Sequence, residues 1–395
     1  MEPPPNSFEY SSSSSTSSMD STSSSSSDDE MDDMMILART FGVANSTEHF
    51  FGSEVEAGAG QSVDPNVAVR DVLATMRATP GLFKTLTNFT LAEFDELASI
   101  VVPTIRSSTR TTGEAPIVPG KPYKLTPEQR LLSFILFMKH DNTTMHDAFN
   151  WNWSKSALCD DTLFIASCIN DALANEIRWP TVEERVTLGT EIAQFQGCIG
   201  IIDGTLVEIR RPWNNEEHKT WFNGRKKMYC MNNIVIVDHH GLFIYVDSGY
   251  PGSFHDVTLL RHSEIHRNWR EYFTHEEEYF EYLLGDPAYM GEEMYIMRRF
   301  GRRELVQDGE APAIRAYNKM HAGYRVQVEW GIGGLKRKWR RLIKRFDSTK
   351  PKYSYLFKSA ALLTNFLHRR RMDFTFQVIG EQHEDPVEYG WDGDY

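Results

Sequence analysis

The chain has 395 residues, 41% hydrophobic and 12% aromatic, which is enough for two modest domains with a packed core. Its net charge of −13 argues against nucleic-acid binding by bulk charge, but residues 1–100 hold 16 acidic and 4 basic side chains, so the rest of the chain is close to neutral. Four scattered cysteines with no CxxC spacing exclude a disulfide framework, and no apolar run or signal-peptide pattern marks a membrane or secretory chain, so a soluble nuclear or cytoplasmic protein is expected.

Residues 1–80 read as a disordered, Ser-rich acidic tail. The Ser run followed by Asp28, Asp29, Glu30, Asp32 and Asp33 carries too little apolar surface to offset its ordering entropy. Helical spacing begins near Gly81, with Leu86, Phe89, Leu91, Phe94 and Leu97, and a Pro- and Gly-containing link follows from Thr112 to Pro122. Thr126-Pro127-Glu128-Gln129 is a strong helix start, with an N-cap Thr, Pro at the first helical position and Gln three residues after the cap. Leu131, Phe134, Ile135 and Met138 then line one face, and His140-Asp141-Asn142 breaks it. A short helix over Met145–Phe149 and another from Ser154 to about Ala174 complete a three-helix unit within residues 81–190. This unit suits a helix-turn-helix module or a plain helical bundle, and Asp160 and Asp161 on the candidate recognition helix would repel phosphate.

From Gln196 the pattern turns to strands. Cys198–Asp203 and Tyr282–Asp286 are short apolar runs that end in a carboxylate. Asn232–Asp238 and Leu242–Asp247, joined by His239-His240-Gly241, read as a hairpin. Ser253-Phe254-His255-Asp256 opens a helix to about Arg270, and a long helical region runs from Ala313 to about Phe346. The order predicts an α/β fold, a sheet with helices packed on it.

Two strands that each deliver an Asp at the C-terminal end place both acids where open α/β sheets build their sites. A Glu on a later helix would close the set. Hard divalent cations take such oxygen ligands, and a pair of ions can clamp the attacking and leaving oxygens of a phosphoryl displacement.

Four motifs carry a family resemblance. They are Ile202-Asp203-Gly204-Thr205; Asp238 through Tyr250-Pro251-Gly252-Ser253-Phe254-His255-Asp256; Gly285-Asp286-Pro287-Ala288-Tyr289; and Arg325-Val326-Gln327-Val328-Glu329 with Gly333-Gly334-Leu335-Lys336-Arg337-Lys338-Trp339-Arg340. In this order they resemble the PIF/Harbinger transposases of the DDE endonuclease superfamily, over residues 196–370. The resemblance implies an RNase H-like catalytic domain over residues 191–375, a mixed sheet with flanking helices, followed by an acidic C-terminal tail at 376–395. It also implies a catalytic, metal-holding triad of Asp203, Asp286 and Glu329, with two Mg²⁺ or Mn²⁺ ions per site and double-stranded DNA as substrate. A Myb-like DNA-binding partner protein, a homo-oligomer and a nuclear location are expected on the same ground.

Each residue also has a plainer reading. Asp203 and Asp286 could end strands and cap turns, and Glu329 could pair with Arg325 one helical turn earlier. Asp256 could join the metal site, or it could complete a helix-start arrangement with Ser253. His255 reads as a positioning residue, and His239 and His240 as exposed turn residues. The run Lys336, Arg337, Lys338, Arg340 and Arg341 is the candidate DNA-binding patch, with Trp330 and Trp339 read as core. Gly331, Gly333 and Gly334 mark either a bend or a close approach of DNA backbone. The function expected is DNA hydrolysis and strand transfer at transposon ends; the alternative is a domesticated nuclear DNA-binding descendant that no longer transposes.

Overall fold

Six strands form one mixed sheet in the computed structural model, which describes residues 72–108, 125–276, 279–301, 311–346 and 353–371. Residues 1–71 of the segment read as the N-terminal tail, the C-terminal tail and the link at 112–122 lie outside the described residues. The strands are β1 (Cys198–Glu208), β2 (Phe222–Asn223), β3 (Met228–Val237), β4 (Phe243–Pro251), β5 (Tyr282–Gly285) and β6 (Ile296–Arg298). β3 lies between β1 and β4, antiparallel to both, and the short β2 also pairs with it. β5 runs parallel to β1 on its other side, and β6 runs parallel to β5. The strands outrun the expected spans at several ends, and β2 and β6 are too short to show a period of their own in the sequence.

β3 is buried throughout from Cys230 to Val237 because helices cover both faces of the sheet. On one face Ile199, Ile202, Ile234, Ile236 and Leu283 pack with Leu188, Leu259, Leu260, Ile265 and Phe273. Leu188 comes from α7 (Val182–Glu191), Leu259 and Leu260 from α9 (Asp256–His262) and Ile265 from α10 (Glu264–Arg267), while Phe273 directly follows a third short helix, α11 (Trp269–Tyr272). The single helix expected from Ser253 to Arg270 is thus broken, and Ser263 caps the middle piece by accepting from the His266 N–H. Val237 points the opposite way from Ile236, as neighbours in a strand must, and meets Gly331 of the long helix α12 (Ala311–Lys338).

The expected three-helix unit stands as α4 (Pro127–Lys139), α5 (Thr144–Asn150) and α6 (Lys155–Ala172), after α1 (Val72–Arg77), α2 (Pro80–Thr87) and α3 (Leu91–Ser108). α1 falls inside the segment read as tail. Thr126 and Gln129 form the capping box, and Thr143 and Ser154 cap the next two helices. α6 packs against α3, α4, α5 and the last helix, α13 (Tyr353–Arg371), the surroundings of a bundle helix. Its Asp161 is turned inward and accepts from Arg130, and burial raises its carboxyl while Arg130 pulls it down. α13 also packs on β4, so the helices and the sheet share one core. Asn365 ties that seam, accepting from the Phe243 N–H at 3.0 Å and donating to its carbonyl at 2.8 Å.

Candidate active site

The register of β1 against β5 pairs Ile201 with Leu284, which sets Asp203 and Asp286, each two residues further on, side by side. Asp203 accepts the Gly204 N–H at 3.0 Å, and Asp286 accepts the Ala288 N–H at 2.6 Å, capping the short turn Pro287–Tyr289. Asp286 thus has the turn-capping role foreseen for it, but β1 runs on to Glu208, so Asp203 lies in mid-strand and not at a strand end before a turn. Asp256, the first residue of α9, reaches the same place: a Cβ on Gly204 would run into its carboxylate. A Cβ on Gly285 would stand 2.7 Å from Ile296 and 2.9 Å from Tyr289. The Asp-Gly and Gly-Asp pairs thus permit close approach at the two positions that carry the acids.

Electrostatics confirm the proximity. Burial pushes the Asp203 carboxyl up to about 6, Arg325 and the Gly204 N–H pull it down, and Asp256 and Asp286 add repulsion. The Asp256 carboxyl is raised by burial and then by Asp286, against the lowering effects of Asn232, Arg225 and His255. The Ser253 capping box does not form: His255 is the N-cap of α9 and makes no side-chain cap. Tyr289 is buried beneath the three acids. Its hydroxyl has no hydrogen-bond partner among the described residues, and burial followed by Asp256, Asp203 and Asp286 raises it well above the usual tyrosine range.

Glu329 stands one guanidinium away. Arg325 of α12 donates to Glu329 at 2.5 Å, and its other terminal nitrogen lies 3.9 Å from Asp203. The surface pair expected for Glu329 therefore exists, and the same arginine links it to the first Asp. Among the described residues, no three Asp, Glu, His or Cys side chains converge as an ion would require. Sequence reasoning overlooked Tyr289, three residues after Asp286, and took Arg325 only as the partner of Glu329.

The cationic run is divided between interior and surface. Lys336 donates to the Leu206 carbonyl at 2.8 Å; burial lowers its ammonium, and Asp203 raises it. Lys338 is pushed down to about 8 by burial and by Arg371. Arg341 is buried, donating to the Asn142 carbonyl and to Thr144 at 3.0 Å, while Arg337 is exposed and Arg340 is half-buried. Trp339 is core and donates to Thr364, but Trp330 is half exposed. α12 is continuous through its glycines; a Cβ at Gly333 or Gly334 would meet open space, and Gly331 and Gly334 line a cavity of about 320 Å³ beside Trp330. His240 is exposed, but His239 is buried against the Leu188 carbonyl at 2.8 Å, unlike the exposed pair expected.

Residues 202–365 match the DDE superfamily endonuclease family. The chain is 25% identical to the protein named "Putative nuclease HARBI1" of Bos taurus over 281 residues, 67% of this chain and 74% of that one. It is 24% identical to the Homo sapiens protein of the same name, with the same shares covered. It is 20% identical to "Protein ALP1-like" of Arabidopsis thaliana over 271 residues, 66% of this chain and 64% of that one. These matches bear out the Harbinger resemblance carried by the motifs. No solved structure matches the chain significantly.

Proposed function

From a chain whose residues 202–365 are a DDE superfamily endonuclease domain, homologous to Harbinger transposase-derived nucleases, we propose a divalent-metal-dependent enzyme that hydrolyses DNA phosphodiester bonds. The observation that carries the reading is the side-by-side placement of Asp203 and Asp286 on parallel strands, with Asp256 against Gly204. The donor chemistry fits Mg²⁺ or Mn²⁺, because every group is a hard carboxylate oxygen, and Asp203 and Asp256 are raised by burial first and by neighbouring acids in addition. Asp203, Asp286 and Glu329 would hold the ions, with Asp256 as a further oxygen donor. Bound there, divalent cations supply Lewis acidity and lower the pKa of an attacking water.

The remaining roles belong to the chain's own side chains. Arg325 holds Asp203 and Glu329 on one guanidinium and offsets part of the negative charge. The Tyr289 hydroxyl, buried among the three acids, has a proton to donate to one of them. The mixed sheet, with three antiparallel strands and two parallel ones, supports an RNase H-like reading. The finer reading adds strand transfer: the freed 3′-hydroxyl attacks target DNA at the same site.

The test is cleavage and joining of DNA in Mg²⁺ or Mn²⁺ by the full chain and by Asp286→Asn. Metal-dependent cleavage lost in the variant is expected. Equal activity in both would sink the assignment, and cleavage without joining would mark a nuclease that no longer transposes.

A further inference from the structure

The segment between β1 and β3 carries a concentration of exposed positive charge. Arg210, Arg211, Lys219, Arg225, Lys226 and Lys227 are all exposed, against only Glu216 and Glu217 in the same segment. None of the six forms an ion pair among the described residues. Trp213, 84% exposed, lies with the Arg210 guanidinium over its ring at 5.0 Å.

The segment is built, not loose. β2 pairs with the start of β3 as a hairpin, and its turn is closed by Asn223 accepting the Lys226 N–H at 2.9 Å, with Lys227 in the left-handed region at φ 53°. It is pinned to the rim of the acids. Asn223 donates to the Gly252 carbonyl at 2.8 Å, and the Ser253 N–H donates to the Thr220 carbonyl at 3.2 Å, three residues before Asp256. The field of Arg225 reaches the Asp256 carboxyl.

We propose that residues 210–227 hold the DNA strand entering the carboxylate cluster, with Arg225, Lys226 and Lys227 on backbone phosphates and Trp213 stacked on an unpaired base beside the cut. The proposal rests on the endonuclease reading and gives it a DNA-binding surface. Phosphate contacts position a strand without reading its sequence, and an exposed aromatic backed by a guanidinium is a stacking platform.

The test is fluorescence anisotropy of the full chain with labelled DNA, blunt or carrying a single-stranded overhang, in EDTA over a range of salt. The triple variant Arg225→Gln, Lys226→Gln, Lys227→Asn keeps a residue that tolerates the left-handed backbone at the last position. Its log-affinity against log-salt slope is expected to fall by about 2 to 3, and that of Lys226→Gln alone by about 1. Trp213→Ala is expected to weaken overhang binding roughly tenfold and to leave blunt duplex unchanged. Wild-type affinity and slope in both charge variants would overturn the proposal and leave the surface to an acidic protein. Asp286→Asn is expected to lose cleavage and keep the slope, so failure of the nuclease reading and failure of this surface show in different measurements.

Discussion

Replacing Asp203 by Asn is expected to stabilise the metal-free protein, and to do so only above acid pH. The carboxyl is only 18% exposed and is pushed from its usual 3.8 up to about 6. The folded state therefore binds its proton more tightly than the unfolded chain does. Stability from this group is fully present below about pH 3.8 and is lost as pH rises through about 6. Raising the carboxyl from 3.8 to about 6 corresponds to about 3 kcal/mol at neutral pH, because a tenfold change in proton affinity is worth about 1.4 kcal/mol. Asparagine keeps the shape and an oxygen to accept the Gly204 N–H, and it never ionises. Urea denaturation of wild type and Asp203→Asn in EDTA, from pH 4 to pH 8, reads the difference directly, since most other titrations cancel. The variant should gain on wild type from about pH 4 to pH 6 and hold a lead of roughly 1–3 kcal/mol above that. Adding Mg²⁺ at pH 8 should narrow the lead by stabilising wild type alone. A difference that stays flat with pH, or a variant less stable than wild type at pH 8, would refute the reasoning.

Gly204→Ala should displace Asp256 while leaving the fold in place, so DNA cleavage should fall about a hundredfold with a thermal midpoint near that of wild type. Arg185→Met strips the buried Glu281 of its charge partner at 2.8 Å and should cost about 3–5 kcal/mol in urea unfolding. Thr126→Ala removes one half of a capping box at the surface and should cost about 1 kcal/mol by the same measurement.

The two acids were legible because an apolar run that meets an Asp is a local pattern, although β1 continues through Asp203 to Glu208, and so was the capping box of α4. What escaped was set by partners far away in sequence. The helical reading through residue 346 put the whole cationic run on one helix, but α12 ends at Lys338 and a tight turn at Arg340–Leu342 sends Arg341 inward to Asn142 and Thr144. Lys336 finds a carbonyl on β1 that no spacing rule reveals. His239 looked exposed beside Gly241, yet the packing of α7 on β1 brings the Leu188 carbonyl to it. Asp256 had a sound local explanation as a helix-start residue; only the crossing of α9 over β3 turns its carboxylate onto Gly204.

The acidity of the chain and a polyanionic substrate are reconciled at short range. A phosphodiester approaching Asp203, Asp256 and Asp286 meets a cluster in which burial, and then the charge of Asp286, raises Asp203 and Asp256, a field that acts inside the ~8 Å over which salt screens charge. Charge beyond that range adds little to the repulsion, and cations beyond it would relieve little of it. The useful cations must lie within the same few ångströms. Arg325 and Lys336 stand at Asp203, and the Arg225 turn stands beside Asp256. Two of these three come from the helix that bears Glu329, and the third comes from the segment joining β1 to β3. The carboxylates and the charges that let a phosphate approach them are thus carried on the same elements, and the net charge of −13 has little bearing on whether the site can meet DNA.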